Sequence, residues 1–220
     1  MAPKHCTDWL PDGKKAAVCF SVDDVHPGKS TDAYEAGGDL ERGALGHLVW
    51  LLERHPKLRV TLFVPADWRE IESFPTRKLV ARLPWIRDRV FLTRTLPEGT
   101  MRLDRHPEFA RFLQAMPRTD IGFHGLHHVH AGPSVVVEFQ NESVEKNVRT
   151  LSRAQQIFRN AGIDPVPGMC PPGWMAPPSL RHAMTKVGMT YLASARDVLS
   201  PVSREAQNGM SGMKGVSLIY

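Results

Sequence analysis

The chain has 220 residues, of which 42% are hydrophobic and 23% charged, and its formal net charge is +5. These proportions are typical of one globular domain, here residues 1–220, and they exclude a fibrous or an intrinsically disordered chain. The basic residues are scattered over a central stretch without an aromatic stacking motif, so we interpret them as a solvated face and expect no nucleic-acid partner.

The first third of the sequence predicts two strands and a helix. Residues 16–22 form a short apolar run rich in β-branched and aromatic side chains, which is typical of a buried strand. Residues 39–55 place leucines at helical spacing, with Asp39 as a candidate N-cap. Residues 59–64 predict a second buried strand, and the order strand, helix, strand indicates an α/β fold with a parallel sheet.

The middle of the sequence is less regular. Residues 66–104 contain several prolines and are long for a simple connection, so we expect a structured insertion or a lid. Residues 107–116 predict a short helix and residues 120–123 a strand. Residues 141–161 predict the longest helix, which carries one apolar stripe and has Gly162 as its terminator.

Three further strands are predicted at residues 166–170, 190–193 and 215–220, with a helix at residues 179–187 between the first two. A repeated strand–helix order fits either an open doubly wound sheet or a closed (β/α) barrel. In both folds the chemistry lies at the carboxyl ends of the strands. The candidate functional residues are therefore the polar side chains that follow the predicted strands.

Two neighbouring carboxylates, Asp23 and Asp24, follow the first predicted strand. Alone, such a pair is more often a turn or a helix N-cap, and Pro27 and Gly28 just after it strengthen the interpretation as a turn. Near a core, however, two carboxylates are costly unless a cation or hydrogen bonds compensate them. The pair is therefore a candidate site that needs a partner elsewhere in the chain.

Four histidines lie within seven residues after the strand at 120–123: His124, His127, His128 and His130. His124 and His128 are four residues apart, a spacing at which two side chains on one helical turn can share a metal ion. Solvated or core histidines are the alternative. Gly125 stands where the HExxH helix of a zinc protease has glutamate, so a base would have to come from the acid pair. Two histidines and one carboxylate leave open positions on the metal, which fits catalytic zinc and also non-haem iron.

The loop at residues 168–174 combines Cys170, two prolines and two glycines with Trp174. The prolines make such a loop rigid, and the indole could offer a flat face to a sugar ring. A plain turn with a packing tryptophan is the alternative. We expect Pro172 and Trp174 to contact a substrate.

In this order the motifs resemble those of the polysaccharide deacetylase family, the NodB-homology or carbohydrate esterase type. The sequence from Ser21 to Asp24 is similar to the family's Thr-Phe-Asp-Asp-Gly motif, and residues 60–64 resemble its Ala-Thr-Phe-Phe-Val strand. Residues 120–128 resemble its Glu-Ile-Gly-x-His-x-x-x-His motif, which is the most specific piece. Residues 170–172 stand in the place of an Arg-Pro-Pro loop, and residues 188–191 resemble a Gly-Tyr strand.

The resemblance implies a distorted (β/α) barrel that binds one divalent metal ion, with zinc as the expected metal. It implies Asp24, His124 and His128 as the metal ligands and Asp23 as the general base. The implied reaction removes an acyl group, acetyl in the first place, from the amide of an amino sugar in bacterial surface-polysaccharide metabolism. The expected partner is therefore a carbohydrate.

The sequence departs from the family's pattern at several places. Cys170 stands where the family has an arginine that orients the base, and Val25 replaces the glycine after the acid pair. The family's late Leu-His motif, which supplies the general acid, has no counterpart before Tyr220. Either the sequence is a fragment or another histidine is the acid. His26, two residues past the acid pair, is the expected substitute, and His130 is the next candidate.

Two other functions are compatible with the same residues. A catalytically degenerate relative would bind a metal or a glycan without turnover, as the missing arginine and the missing late histidine indicate. An iron-dependent oxygenase could use the same three ligands. Those enzymes usually take the first histidine and the acid from one short motif, which disfavours this alternative.

Features of membrane and secreted proteins are absent from the sequence. No apolar stretch approaches the length of a membrane span, and residues 1–15 contain no apolar run typical of a signal peptide. The three cysteines, Cys6, Cys19 and Cys170, are odd in number and irregularly spaced, which predicts neither a disulfide framework nor a paired zinc motif. We therefore expect a cytoplasmic protein without a membrane span.

Overall fold

The computed structural model describes residues 12–13, 20–28, 40, 43–72, 94–130, 137–174, 176–193 and 216–218. The helices in these ranges are α1 (Ala44–Arg54), α2 (Pro107–Ala115), α3 (Val144–Asn160) and α4 (Pro178–Lys186), with short 3-10 helices at Leu103–Arg105 and Pro172–Trp174. The strands are β1 (Ser21–Val22), β2 (Val60–Val64), β3 (Asp67–Trp68), β4 (Glu70–Glu72), β5 (Arg94–Thr95), β6 (Met101–Arg102), β7 (Thr119–Phe123), β8 (Gly168–Met169), β9 (Tyr191–Ala193) and β10 (Val216–Leu218).

A curled sheet of six strands forms the centre of the structure, in the order β1-β2-β7-β8-β9-β10. The first five are parallel and β10 is antiparallel to β9. Strand order therefore follows chain order, whereas a doubly wound sheet reverses its order at a switch point. The predicted α/β fold with a parallel sheet is confirmed, and the described strands form a half-barrel. Membership in the NodB-homology type stays a prediction.

Helix α1 buries Leu45, Leu48 and Leu52 in the hydrophobic core. It begins at Ala44 with Gly43 as N-cap, so the predicted start at Asp39 was wrong. Leu40 lies in a turn but still packs against the core, which explains why its helical spacing misled the prediction. Asp39 itself lies outside the described residues, as do residues 16–19 of the first predicted strand.

Helix α3 has a capping residue at each end that can be recognised in the sequence. The Ser143 side chain accepts a hydrogen bond from the Lys146 backbone N–H at 3.2 Å, the usual N-cap contact. At the other end Gly162 has a φ of +72°, and the Ile163 N–H donates to the Phe158 carbonyl at 3.0 Å, as in a Schellman motif. The predicted helix at 141–161 is thus confirmed with slightly shorter bounds.

The segment 66–104 contains two small antiparallel pairs, β3 with β6 and β4 with β5. The Leu103 N–H donates to the Ala66 carbonyl at 3.0 Å, so the two ends of the segment lie together. Residues 73–93 lie outside the described part, and both the lid function and the single domain over residues 1–220 stay predictions. None of the helices in the described ranges is both long and apolar enough to cross a membrane.

Candidate metal centre

The candidate site lies at the carboxyl ends of neighbouring parallel strands. Sheet-like hydrogen bonds continue beyond the strands: the His124 N–H donates to the Val64 carbonyl at 3.0 Å, and the Cys170 N–H donates to the Phe123 carbonyl at 3.0 Å. The Val25 N–H likewise donates to the Phe63 carbonyl at 3.3 Å. The backbone that carries the candidate residues is therefore fixed by the sheet itself.

Asp24 lies at the centre of the site. Its Oδ1 is 2.9 Å from His124 Nε2 and 3.3 Å from His128 Nε2. The backbone of Asp24 is left-handed, with a φ of +59°, which is uncommon outside glycine but tolerated by aspartate. Neighbouring side chains on an extended strand point to opposite faces. The left-handed turn at Asp24 instead lets both Asp23 and Asp24 face His124.

His124 and His128 meet through a loop and not through the expected helical turn. Gly125 has a φ of +82° and His128 a φ of +50°, neither of which is helical. The two imidazole rings stack with centroids 5.0 Å apart and an angle of 29° between their planes. The four-residue spacing thus brings the rings together by a different backbone route from the one that the sequence indicated.

The donor atoms of Asp24, His124 and His128 fit a divalent metal ion. They lie within 4.8 Å of one another, and ligand atoms about 2.1 Å from a tetrahedral zinc lie about 3.4 Å apart. His124 Nδ1 is 2.7 Å from the Cys170 carbonyl, so it donates its proton there and leaves Nε2 facing Asp24. Asp24 Oδ1 is buried and has no hydrogen bond of acceptable geometry among the described residues.

The electrostatics of the group depend on the balance between burial and ion pairing. Burial disfavours the charged form of Asp24, but the nearby imidazoles of His128 and His124 outweigh it and lower the pKa of Asp24 to about 2. Burial is likewise outweighed at His124, where Asp24 holds the pKa well above 6.5. At His128 burial prevails and lowers the pKa, which favours the neutral ring that a metal requires.

Cys170 forms a second group of donor atoms with Asp23 and the same His124, again within 4.8 Å. Its Sγ donates to Asp23 Oδ2 at 3.5 Å, and burial raises the pKa of the thiol to about 11. The sequence pattern indicated that Cys170 stands in place of an arginine but not that it contacts Asp23. In the structure it is a neutral donor to the carboxylate that the arginine would have oriented.

Trp174 also contacts Asp23 directly. Its indole N–H donates to Asp23 Oδ2 at 2.6 Å, and the residue is 39% exposed at the rim of the site. Pro172 is buried, and it lies so close to Gly125 that a Cβ there would be 2.9 Å from its Cγ. The prediction that Pro172 and Trp174 contact a substrate stays a prediction, and the structure adds a contact between Trp174 and the candidate base Asp23.

The other histidines of the cluster bind acids of the segment 66–104. His130 Nδ1 pairs with Glu70 Oε2 at 2.9 Å, and His127 Nδ1 is 3.1 Å from the Asp67 carbonyl. Sequence reasoning missed both acids because they lie in the irregular segment. The four histidines therefore divide into two pairs. The rings of His124 and His128 face Asp24, and those of His127 and His130 attach the loop to β3 and β4.

His26, the candidate acid, is buried beside the same group. Its Nδ1 accepts from the Gly28 backbone N–H at 3.1 Å, and its ring stacks on Trp68 with centroids 4.7 Å apart. Trp68 stacks in turn on His128 at 4.8 Å. The tryptophan, which no sequence motif marked, thus lies between the candidate acid and a candidate metal ligand.

Comparisons with known proteins leave the family open. No protein-family model and no curated protein matches the sequence. Among solved structures, the fold is similar to a family 4 carbohydrate esterase from Streptomyces lividans in complex with acetate, with a TM-score of 0.46 and 16% identity. The match covers 80% of this chain and 61% of that protein, less than two thirds of its length. At this distance the likeness assigns neither family nor activity.

Proposed function

We propose that this protein is a metal-dependent hydrolase that removes an acyl group, acetyl in the first place, from the amide of an amino sugar. The convergence of Asp24, His124 and His128, with donor atoms within 4.8 Å of one another, carries the proposal. The sequence motifs support a divalent ion, with zinc expected, and a carbohydrate substrate. Asp23, which is not one of the three proposed ligands, lies beside His124.

Asp23 is the proposed general base. Trp174 and Cys170 donate to its Oδ2, whereas Oδ1 is buried and has no hydrogen-bond partner among the residues described. Oδ1 is therefore placed to accept a proton, while the other oxygen fixes the orientation of the carboxylate. A bound divalent ion would supply Lewis acidity, polarising the acyl carbonyl and lowering the pKa of a bound water.

His26 is the proposed general acid. The Gly28 N–H donates to Nδ1, so the neutral ring has its proton on Nε2. The ring is 1% exposed, and a positive charge on it would help to lower the pKa of Asp24. Amide hydrolysis expels an amine, a poor leaving group unless it is protonated, so the reaction requires a proton donor in the site.

Trp174 is the proposed contact for the sugar. It is one of the few large apolar side chains exposed in the described part of the chain, and it lies directly against the base. An indole with its N–H bound to Asp23 still presents a face to solvent, and flat aromatic faces pack well against the apolar face of a sugar ring. The substrate would then be held next to the reacting carboxylate.

A catalytically degenerate relative is the second candidate. The observation that favours it is the 2.6 Å hydrogen bond from Trp174 to Asp23, because a substrate or water that needs Oδ2 would have to displace the indole. In this case the protein would bind a metal or a glycan and release no acetate. The two candidates share the metal site and differ in turnover.

Metal analysis combined with an acetate-release assay on a panel of N-acetylated sugars tests the proposal. We expect about one zinc-like ion per chain for a tetrahedral site of this kind, and acetate release that a chelator abolishes. His128→Ala should lose both, whereas the control His182→Ala, which changes an exposed histidine on α4, should keep both. Full metal occupancy in a His124→Ala, His128→Ala double variant would refute the site, and metal binding without acetate release would favour the degenerate relative.

A further inference from the structure

The loop between the candidate ligands His124 and His128 has two backbone N–H groups whose hydrogen-bond acceptor lies outside the loop. The Leu126 N–H lies 3.2 and 3.1 Å from the two carboxylate oxygens of Glu138, and the His127 N–H donates to Oε1 at 2.8 Å. Successive N–H groups that converge on one anion form a nest, an arrangement that favours negative charge. Here the anion is a side chain eleven residues further along the chain.

The backbone around Glu138 holds its carboxylate at this place. Val137 pairs with His130 in an antiparallel bridge, and the Glu138 N–H donates to the Val129 carbonyl at 3.0 Å. The returning chain is thus fixed to the end of the histidine loop. Burial raises the pKa of Glu138 to about 7, whereas the backbone donors of the loop act to lower it, so placing the carboxyl here has an electrostatic cost.

Close packing shows how tightly the glutamate fits the loop. A Cβ on Gly125 would lie well under 3.0 Å from Glu138 Oε2, a distance that real Cβ atoms essentially never show. The loop and the glutamate therefore fit together only with glycine at this position. Glu138 belongs to neither group of donor atoms that could hold a metal among the described residues, so its influence passes through the backbone.

We propose that Glu138 is a positioning residue that fixes the distance between His124 and His128 by binding the backbone N–H groups between them. The inference rests on the proposed metal-binding role of these histidines. His124 is fixed independently, because its N–H continues the sheet to Val64. His128 has no such anchor in the strand, and its left-handed backbone follows directly after the two amides that Glu138 binds. Loss of the carboxylate therefore displaces His128 more than His124.

Zinc affinity in the absence of substrate tests the proposal. Glu138→Ala should weaken zinc binding about 10–100-fold, the range usual for partners that orient metal ligands from outside the coordination sphere. Glu138→Gln keeps one acceptor oxygen and nearly the same shape, so it should restore most of the affinity. The control is Glu142→Gln, which changes a half-buried glutamate four residues on that pairs with Lys146 and not with the loop.

A spectroscopic measurement separates positioning from general loss of structure. The absorption bands of bound Co²⁺ report the geometry of the ligands, so they should shift in Glu138→Ala and stay unchanged in Glu142→Gln. Equal zinc affinity and equal Co²⁺ spectra in wild-type and Glu138→Ala protein would overturn the inference. If Glu138→Ala does not fold, Glu138→Gln and Glu138→Asp replace it. Wild-type zinc affinity in Glu138→Gln with weakened affinity in Glu138→Asp supports the inference. Wild-type affinity in both variants overturns it. Wild-type protein that binds no metal would overturn the proposed function itself, a result distinct from either outcome.

Discussion

Gly125→Ala perturbs the histidine loop at its most crowded point. An L-residue at a φ of +82° costs about 1–2 kcal/mol in backbone strain. The new Cβ would also meet Glu138 Oε2 and, at 2.9 Å, Pro172 Cγ, so the glutamate must move away from the loop. If one of the two backbone amides then loses its acceptor, an unsatisfied buried donor adds about 1–3 kcal/mol. The expected loss in free energy of unfolding is therefore about 2–5 kcal/mol.

Gly162→Ala is the matched control. Gly162 has a similar φ of +72°, but a Cβ there meets nothing within 4 Å, so only the backbone term of about 1–2 kcal/mol applies. Urea unfolding of metal-free protein, followed by circular dichroism, measures both variants on one scale. The difference between them isolates the crowding at Gly125 and should be about 1–3 kcal/mol. Equal losses would show that Glu138 and Pro172 move aside at little cost, which would refute the reasoning.

Three further predictions follow from the contacts of single residues. Asp23→Asn and His26→Ala should each keep the bound metal and lower acetate release about 10²–10⁴-fold, as is usual for the loss of a general base or acid; loss of metal in step with activity would instead make the residue a ligand. Trp174→Phe removes the 2.6 Å donor to Asp23 but keeps an aromatic face, so it should lower kcat more than it raises KM; a change in KM alone would limit Trp174 to substrate binding. Ser143→Ala removes the bond from the Lys146 N–H and should cost about 1 kcal/mol in urea unfolding without changing metal affinity, and an unchanged midpoint would mean that the cap is dispensable.

Elements with local signals were predictable from the sequence. Strand β2 is an unbroken apolar run, and α3 has a serine cap at one end and a glycine at the other, so each agrees with its prediction to within a few residues. The short pairs β3–β6 and β4–β5 were not predictable. Strands of two or three residues are too short to show a period, and the partners of Asp67 and Glu70 are more than thirty and twenty residues away along the chain, at residues 102 and 95.

The candidate site was predictable in its composition but not in its construction. Parallel strands bring their carboxyl ends to one edge, which is why Asp24 and His124 could be placed together from the sequence. The path from His124 to His128 depends on two left-handed residues and on Glu138, and no periodic pattern encodes a loop of this kind. The contacts of Trp68 were not predictable for the same reason, because an isolated tryptophan in an irregular segment does not indicate which residues it packs against.

The balance of charge at the strand ends links the departures from the family's pattern to the proposed metal. Where an arginine would place a permanent cation beside the proposed base, the described partners of Asp23 Oδ2 are an indole N–H and a thiol, both neutral. Two adjacent carboxylates held by neutral donors leave negative charge in a largely buried place, which is costly unless a cation compensates it. His124 and His128 can balance that charge only as protonated rings; Asp24 raises the pKa of His124 against the effect of burial, whereas burial prevails at His128 and lowers its pKa. A divalent ion would compensate both carboxylates and would be bound by neutral rings, so a cysteine at the place of the resembled family's arginine strengthens the case for the proposed metal even as it weakens the case for efficient catalysis.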